Sequence, residues 1–410
     1  MFDSTRVLLA LLLTSIPVAS QSKNLLFYGN SYTYYSWGYG VPELVGMIAT
    51  EAGHPTPNIV TALAGGVELE YHATNPAQIA VIGSALPPGQ TWDSVVMQGH
   101  ALEATPEAGY DPANFRRNAV TITSNVRSHS PAARAILSQT WSNAQGHMWF
   151  PIPWAGPLQM HEVVRANYDL AVADIDTAFG PGTASRSAIG DGAALLEWDP
   201  AYYEADLSHP APSMILMGAM CMYTSIYGER VCDITPDFGP TSTLTTALSP
   251  FGLDESDWAF FAGIADRCAK PEVRLYPGSG DHVLLESTTD SQPLTACPYN
   301  RTTLGTPVQI RMRSLNGVYD DATAWLITDV FATGSPPGPA ALYPEVQYGL
   351  GSMAALLAVP DLNAPLTLAF PMPVTLPGFT VLVQGLIAQP SSETGNAVFT
   401  TTDAHEFEMF

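Results

Sequence analysis

Lysine is nearly missing from this chain: Lys23 and Lys270 are the only two in 410 residues. With 15 Lys+Arg against 38 Asp+Glu the formal charge is −23, so nucleic-acid phosphates and anionic lipid surfaces would both be repelled. Charged residues of either sign reach only 13%, about half the usual share. Hydrophobic residues stand at 46%, which excludes a charge-rich disordered chain and supplies a large core. The acidic surface would stay strongly hydrated and would suit a salty medium. Long apolar runs are also scarce. One, from Val7 to Val18, covers about 12 residues, short of the roughly 20 that span a bilayer, and Pro17 interrupts it. Arg6 precedes it and the small residues Ala19-Ser20 follow, so residues 1–20 read as a secretory signal and predict a secreted, extracellular or periplasmic protein without stable membrane insertion. Cysteine is limited to Cys221, Cys232, Cys268 and Cys297. An even set in an exported chain predicts two disulfides, with Cys221 or Cys232 joined to Cys268, and the spacing fits no zinc site. No metal or cofactor is expected.

The length exceeds the usual size of about 100–200 residues per domain, which predicts more than one. Short apolar runs at 24–29 (NLLFYG), 58–66 (NIVTALAGG), 94–99 (SVVMQG) and 134–141 (RAILSQTW) read as buried strands. Helical spacing falls between and after them, at 41–53, 114–128, 158–179, 213–227 and 254–268. Alternating β and α segments predict a parallel sheet covered on both faces. The uncharged, Met-rich segment at 213–227 reads as a core helix. From Pro271 the texture turns to short alternating runs, such as Val308 to Arg313, separated by Gly, Pro, Ser and Thr. The expectation is an α/β catalytic domain over 21–270 and an all-β accessory domain, a sandwich or two small sheets, over 271–410. The stretch 333–339 (TGSPPGP) reads as a loop or seam.

Catalytic groups of an open parallel sheet gather at the carboxyl ends of its strands. Those ends carry Gly29-Asn30-Ser31-Tyr32-Thr33, Gly65-Gly66 and Gln98-Gly99, and far downstream comes Asp206-Leu207-Ser208-His209-Pro210. A serine hydroxyl needs an imidazole to take its proton, and the imidazole needs a carboxylate to hold its tautomer. Ser31, His209 and Asp206 can fill those roles, the last two brought to one side by a single helical turn. The oxyanion of an acyl-transfer intermediate needs preorganised donors, for which the Ser31 and Gly66 amides and the Gln98 side chain are the candidates.

These blocks resemble the SGNH hydrolase family, the GDSL esterases and lipases, over roughly residues 23–270. The Gly-Asp/Asn-Ser turn after the first strand is matched by Gly29-Asn30-Ser31, and the Asp-x-x-His block by Asp206 and His209. The family's oxyanion glycine falls on Gly66 or Gly65. Its Gly-x-Asn block is replaced by Val96-Met97-Gln98-Gly99, with Gln98 offering the amide. The resemblance implies a flavodoxin-like three-layer sandwich and ester hydrolysis through an acyl-enzyme without a cofactor.

The aromatic residues Tyr32, Tyr34, Tyr35, Trp37 and Tyr39, and Trp141, Trp149, Phe150 and Trp154, cluster after the first and fourth strands. Rings beside a nucleophile suit a sugar or an acyl chain, which makes Tyr32, Trp141 and the strand-end His100 candidate substrate contacts. The remaining histidines, His54, His72, His129, His147, His161, His282 and His405, have no metal-type spacing and read as surface or packing residues. The loop at 142–156 could form a partial lid. Asn300-Arg301-Thr302 is a glycosylation sequon. The expected substrate is an acetyl or short-chain ester, with acylated extracellular polysaccharide first and a lipid or polyester as alternatives. The rival of another class is a non-catalytic carbohydrate-binding protein on a hydrolase-like fold.

Overall fold

The computed structural model describes residues 21–34, 38–269, 276, 278–281, 283–289, 294, 297–302, 306–314, 317–333, 340, 342–347, 353–359, 361–362, 364, 366–368 and 378–409. The signal at 1–20, Tyr35, Trp37, the boundary at Lys270-Pro271, His282 and most of the seam at 333–339 lie outside the described residues.

Five strands, β1 (Asn24–Gly29), β2 (Asn58–Leu63), β3 (Ser94–Met97), β4 (Arg134–Ser138) and β5 (Ala184–Ser187), form a fully parallel sheet in the order β2-β1-β3-β4-β5. This is the flavodoxin-like order, with its switch point between β1 and β3. Neighbouring residues on a strand face opposite ways, and the cores follow. Leu25 and Phe27 of β1 join one cluster with Val96 and Ile136, while Leu26 and Tyr28 join the other with Val95, Met97 and Leu137. The first cluster is closed by α1 (Val41–Glu51), α6 (Ile189–Leu195), α7 (Pro212–Tyr227), α8 (Thr243–Leu248) and α9 (Glu255–Ala269). The second is closed by α2 (Leu69–Thr74), α3 (Pro76–Ser84), α4 (Pro112–His129) and α5 (Pro157–Phe179). Helix α7 packs between α1 and α9 and is buried from Met214 to Thr224, which explains its lack of charge. Truncating Met217 to Ala there should cost about 2–5 kcal/mol.

Eight further strands follow: β6 (Val283–Thr289), β7 (Tyr299–Thr302), β8 (Val308–Ser314), β9 (Ala324–Ala332), β10 (Met353–Val359), β11 (Leu366–Leu368), β12 (Phe379–Ile387) and β13 (Thr400–Met409). They form a five-stranded sheet in the order β10-β9-β12-β13-β7 and a three-stranded sheet in the order β11-β8-β6. Both contribute to one core, with Leu285 and Ile310 from the smaller sheet against Val381, Val383 and Phe407 from the larger. The region is therefore a sandwich of two unequal sheets. Strand β8 shows the expected alternation, burying Val308, Ile310 and Met312.

The helical and β regions touch. Arg230, after α7, donates from Nη2 to the Tyr299 carbonyl at 2.9 Å, and Arg313 on β8 meets Glu255 on α9 at 3.1 Å. The four cysteines come together in the two couples that a pair of disulfides would need. They stand as two hydrogen-bonded couples, Cys221 with Cys268 and Cys232 with Cys297. No helix among the described residues is long and apolar enough to cross a membrane.

Candidate active site

Ser31 sits on a tight turn just past β1, closed by Thr33 N–H to the Asn30 carbonyl at 2.9 Å. Gly29 is needed there because a Cβ would stand 2.4 Å from Thr33 Oγ1. Gln98, at the end of the adjacent β3, braces the turn: its Oε1 accepts from the Asn30 amide at 2.9 Å and from Thr33 Oγ1 at 2.8 Å, and its Nε2 donates to the Gly99 carbonyl. This corrects the oxyanion role expected of Gln98. Its Oε1 is engaged in holding the serine turn, its Nε2 points to the Gly99 carbonyl, and it does not line the cavity that Ser31 faces.

That cavity, about 170 Å³, lies at the carboxyl edge of the sheet and is bordered by Ser31, Tyr32, Gly66, His100, His147 and His209, with Leu102, Asn143 and Trp149 among the rest of its wall. Ser31 Oγ lies 2.9 Å from His209 Nε2, and His209 Nδ1 lies 2.5 Å from Asp206 Oδ2. The side chain of His209 is 42% exposed, so the chain of three opens toward solvent.

Asp206 and His209 do not lie on a helical turn as expected. Pro210 disfavours helical backbone at His209, and helix α7 starts only at Pro212. The pair is held instead by an Asx-type turn, in which Asp206 Oδ1 accepts the Ser208 and His209 amides at 3.0 and 2.9 Å and Leu207 adopts φ of 60°. Burial pushes the Asp206 carboxyl up, but the His209 amide and ring and the Ser208 amide outweigh it and hold the group below its ordinary value. Asp206 is thus an anion facing the far side of the imidazole.

The aromatic residues divide by role. Tyr32 borders the cavity, sets its ring edge-on to His209 at 5.1 Å between centroids and hydrogen-bonds Ser208 Oγ. Burial raises its phenol well above the ordinary value, so it stays neutral. Trp141 is not in the cavity wall. It stacks behind Tyr32 at 4.6 Å and donates Nε1 to the Ser208 carbonyl at 3.1 Å, which corrects its expected role as a substrate contact. His100 does border the cavity, and burial, then the nearby His209, lowers its imidazole pKa. His147, read from sequence as a surface or packing residue, also borders it, 3.1 Å from Asn143 Nδ2, with burial lowering its pKa. The signal available for His147 was its place after β4, in a loop rich in aromatic residues.

The one metal-type cluster among the described residues is Cys232, Asp266 and Cys297, whose ligand atoms lie within 4.8 Å of one another. Arg230 contacts both Asp266 and Cys297 there, and a guanidinium opposes a cation in the same place.

The chain is similar to solved SGNH hydrolase and lipase structures over about half its length. One is a protein from Slackia heliotrinireducens described as a candidate SGNH hydrolase, at 17% identity and TM-score 0.40, covering 50% of this chain and 100% of that one. A DUF4886 family protein from Bacteroides uniformis matches at 13% identity and TM-score 0.44, covering 61% and 96%. A lipase/acylhydrolase from Enterococcus faecalis matches at 15% identity and TM-score 0.37, covering 52% and 98%. No family model and no curated protein matches the sequence.

Proposed function

We propose that this chain is an exported serine esterase that hydrolyses acetyl or other short-chain esters through an acyl-enzyme. The observation that carries the reading is the hydrogen-bonded series Ser31–His209–Asp206 opening on a cavity at the carboxyl edge of a parallel sheet. Ser31 Oγ attacks the ester carbonyl carbon as its proton passes to His209 Nε2, and Asp206 stabilises the imidazolium through Nδ1–H. The backbone amides of Ser31 and Gly66 face the developing oxyanion, a task for which Gly66, at φ of 68°, has backbone freedom that other residues lack. His209 then returns the proton to the departing alcohol, and a water, activated by the same imidazole, releases the acid and regenerates Ser31. No step requires a metal or cofactor.

A cavity of about 170 Å³ suits a small acyl group. Acylated extracellular polysaccharide is the leading source, with Tyr32 and Trp149 as apolar walls for a sugar ring. A second reading, a short-chain lipid or a polyester, is favoured by Met148 and Ile152, which flank Trp149 and are 87% and 80% exposed. A chain of charge −23 would approach an uncharged ester surface more readily than an anionic one.

Hydrolysis of p-nitrophenyl acetate by the wild type and Ser31→Ala tests the reading. Activity that survives in Ser31→Ala would overturn the assignment of Ser31, and no activity in the folded wild type would favour a non-catalytic binding role.

A further inference from the structure

Beneath the cavity lies a buried carboxylate that the proposed mechanism does not use. Glu103 is 1% exposed and forms no ion pair among the described residues, and the nearby Glu68 and Glu70 push its pKa further up. Both of its oxygens lie 3.1 Å from the Leu69 amide, and Oε2 also accepts from the His100 amide at 2.9 Å. Leu69 is the first residue of α2, immediately after the segment Gly65-Gly66-Val67-Glu68. His100 follows Gln98-Gly99 at the end of β3, and a Cβ on Gly99 would come within 2.8 Å of Glu103 Oε2. One carboxylate therefore ties the loop after β2 to the loop after β3. Gly66 stands on the first loop and His100, Ala101 and Leu102 on the second, all of them in the cavity wall. Burying a carboxylate without a cation is costly, and a packing role would be served as well by a neutral side chain. Two amides converging on two oxygens call for an acceptor with no hydrogen of its own, which an ionised carboxylate is and a glutamine is not.

We infer that Glu103 is a positioning residue for the oxyanion side of the site, fixing the Gly66 amide relative to Ser31 without touching substrate. This rests on the acyl-transfer reading of Ser31. An amide displaced by about 1 Å can cost about 100-fold in rate, whereas ground-state binding of a small ester depends little on it. Glu103→Gln should thus lower kcat for p-nitrophenyl acetate by about 10–100-fold with KM within about two-fold. Because the effect runs through Gly66, the double variant Glu103→Gln/Gly66→Ala should lose little more than Gly66→Ala alone. Glu103→Asp keeps the charge but withdraws it by one methylene; it should show a smaller kcat loss and answers the question if the Gln variant does not fold. Wild-type kcat in a folded Glu103 variant, a loss confined to KM, or full additivity with Gly66→Ala would overturn the inference. Ser31→Ala, measured alongside, separates the two failures: an active Ser31→Ala sinks the acyl-transfer reading, while an inactive one beside a fully active Glu103→Gln sinks only the role of Glu103.

Discussion

The helical region and the β-sandwich each hold a serine hydrogen-bonded to a histidine with an aspartate beyond it. In the first, Ser31 Oγ meets His209 Nε2 at 2.9 Å and Asp206 meets Nδ1 at 2.5 Å. In the second, Ser287 on β6 meets His405 Nδ1 on β13 at 2.6 Å, and Asp403 Oδ2 lies 3.5 Å from Nε2. Residue types and the serine–histidine distance scarcely tell them apart, although Asp403 makes no hydrogen bond to Nε2 as Asp206 does to Nδ1. Surroundings do: Ser287 and His405 are fully buried, and Ser287 Oγ also accepts from Asn300 Nδ2 at 2.9 Å. That engagement turns the sequon asparagine inward. At 0% exposure, Ser287 is closed to an ester. A serine, a histidine and an aspartate in contact are therefore insufficient. What separates the two is a cavity at the end of a parallel strand and unspent donors around it.

The sharpest way to break this contrast is activity. Ser31→Ala should lower kcat/KM for p-nitrophenyl acetate by at least about 1,000-fold, while Ser287→Ala should leave it within about two-fold. Labelling by a fluorophosphonate probe, read by peptide mapping, should fall on Ser31 alone and vanish in His209→Ala; a label on Ser287 would reverse the contrast.

Next in size comes the tie between the regions. The couples Cys221/Cys268 and Cys232/Cys297 are expected to be disulfides in exported protein, formed by exchange with a small-molecule disulfide that takes up the two electrons of each bond. Mapping of unreduced peptides should recover those two pairs. Loss of the Cys232–Cys297 link, which closes a loop of about 65 residues, should cost about 4 kcal/mol. Four titratable thiols in fresh protein would contradict this.

His405→Ala tests the closed couple as structure. It removes a fully buried ring and leaves Ser287 short of a partner, so a lower Tm equivalent to about 2–4 kcal/mol is expected, with Ser31 labelling rates unchanged in folded protein.

The smallest effect contrasts two buried carboxylates. Burial, with Glu68 and Glu70 adding to it and two amides opposing it, raises Glu103 from 4.5 to about 7. Burial also pushes Asp281 in the sandwich upward, but the hydroxyls of Ser391, Ser279 and Ser392 and the Ser392 amide prevail and hold it at about 2. A raised carboxyl binds its proton more tightly in the folded state. The stability it contributes is present below pH 4.5 and is lost as pH rises through about 7. Asp281 runs the other way, contributing above its ordinary range and losing that contribution as pH falls toward 2. Urea unfolding of wild type against Glu103→Gln between pH 4.5 and 8 should show a difference that shifts by up to about 3 kcal/mol in favour of the variant as pH rises. A pH-independent difference would mean that Glu103 does not titrate there. The ionised form that the site uses is thus the form that weakens the fold.

Much of the helical region is legible in sequence because its strands β1 to β4 are apolar runs and its long helices carry strong periodicity. Strand β5 is not, since Ala-Ser-Arg-Ser at a sheet edge lacks an apolar pattern. The six-residue helices α2 and α8 are set by packing rather than propensity. Ser31, Asp206 and His209 stand out because each lies in a local motif. Gln98 misleads because an amide at a strand end can turn toward the cavity or toward its own turn, and only the position of Asn30 and Thr33 decides. Trp141 misleads similarly, since stacking on Tyr32 leaves it one layer too deep. Ser287 and His405 are separated by 118 positions, and nothing local in either segment signals that they meet.

The turn from Asp206 to His209 contains its own fastenings, so the acid and the base have a single mechanical freedom, the placement of the turn as a whole. From outside, that placement is held by Tyr32 to Ser208 Oγ, Trp141 to the Ser208 carbonyl and the Ala144 amide to the Leu207 carbonyl at 2.9 Å. A disturbance of the loop would therefore carry both groups away from Ser31 together, changing the reach of the imidazole while leaving its carboxylate partner in step. The working distance of the site is thus set at Leu207 and Ser208, residues with no chemistry of their own.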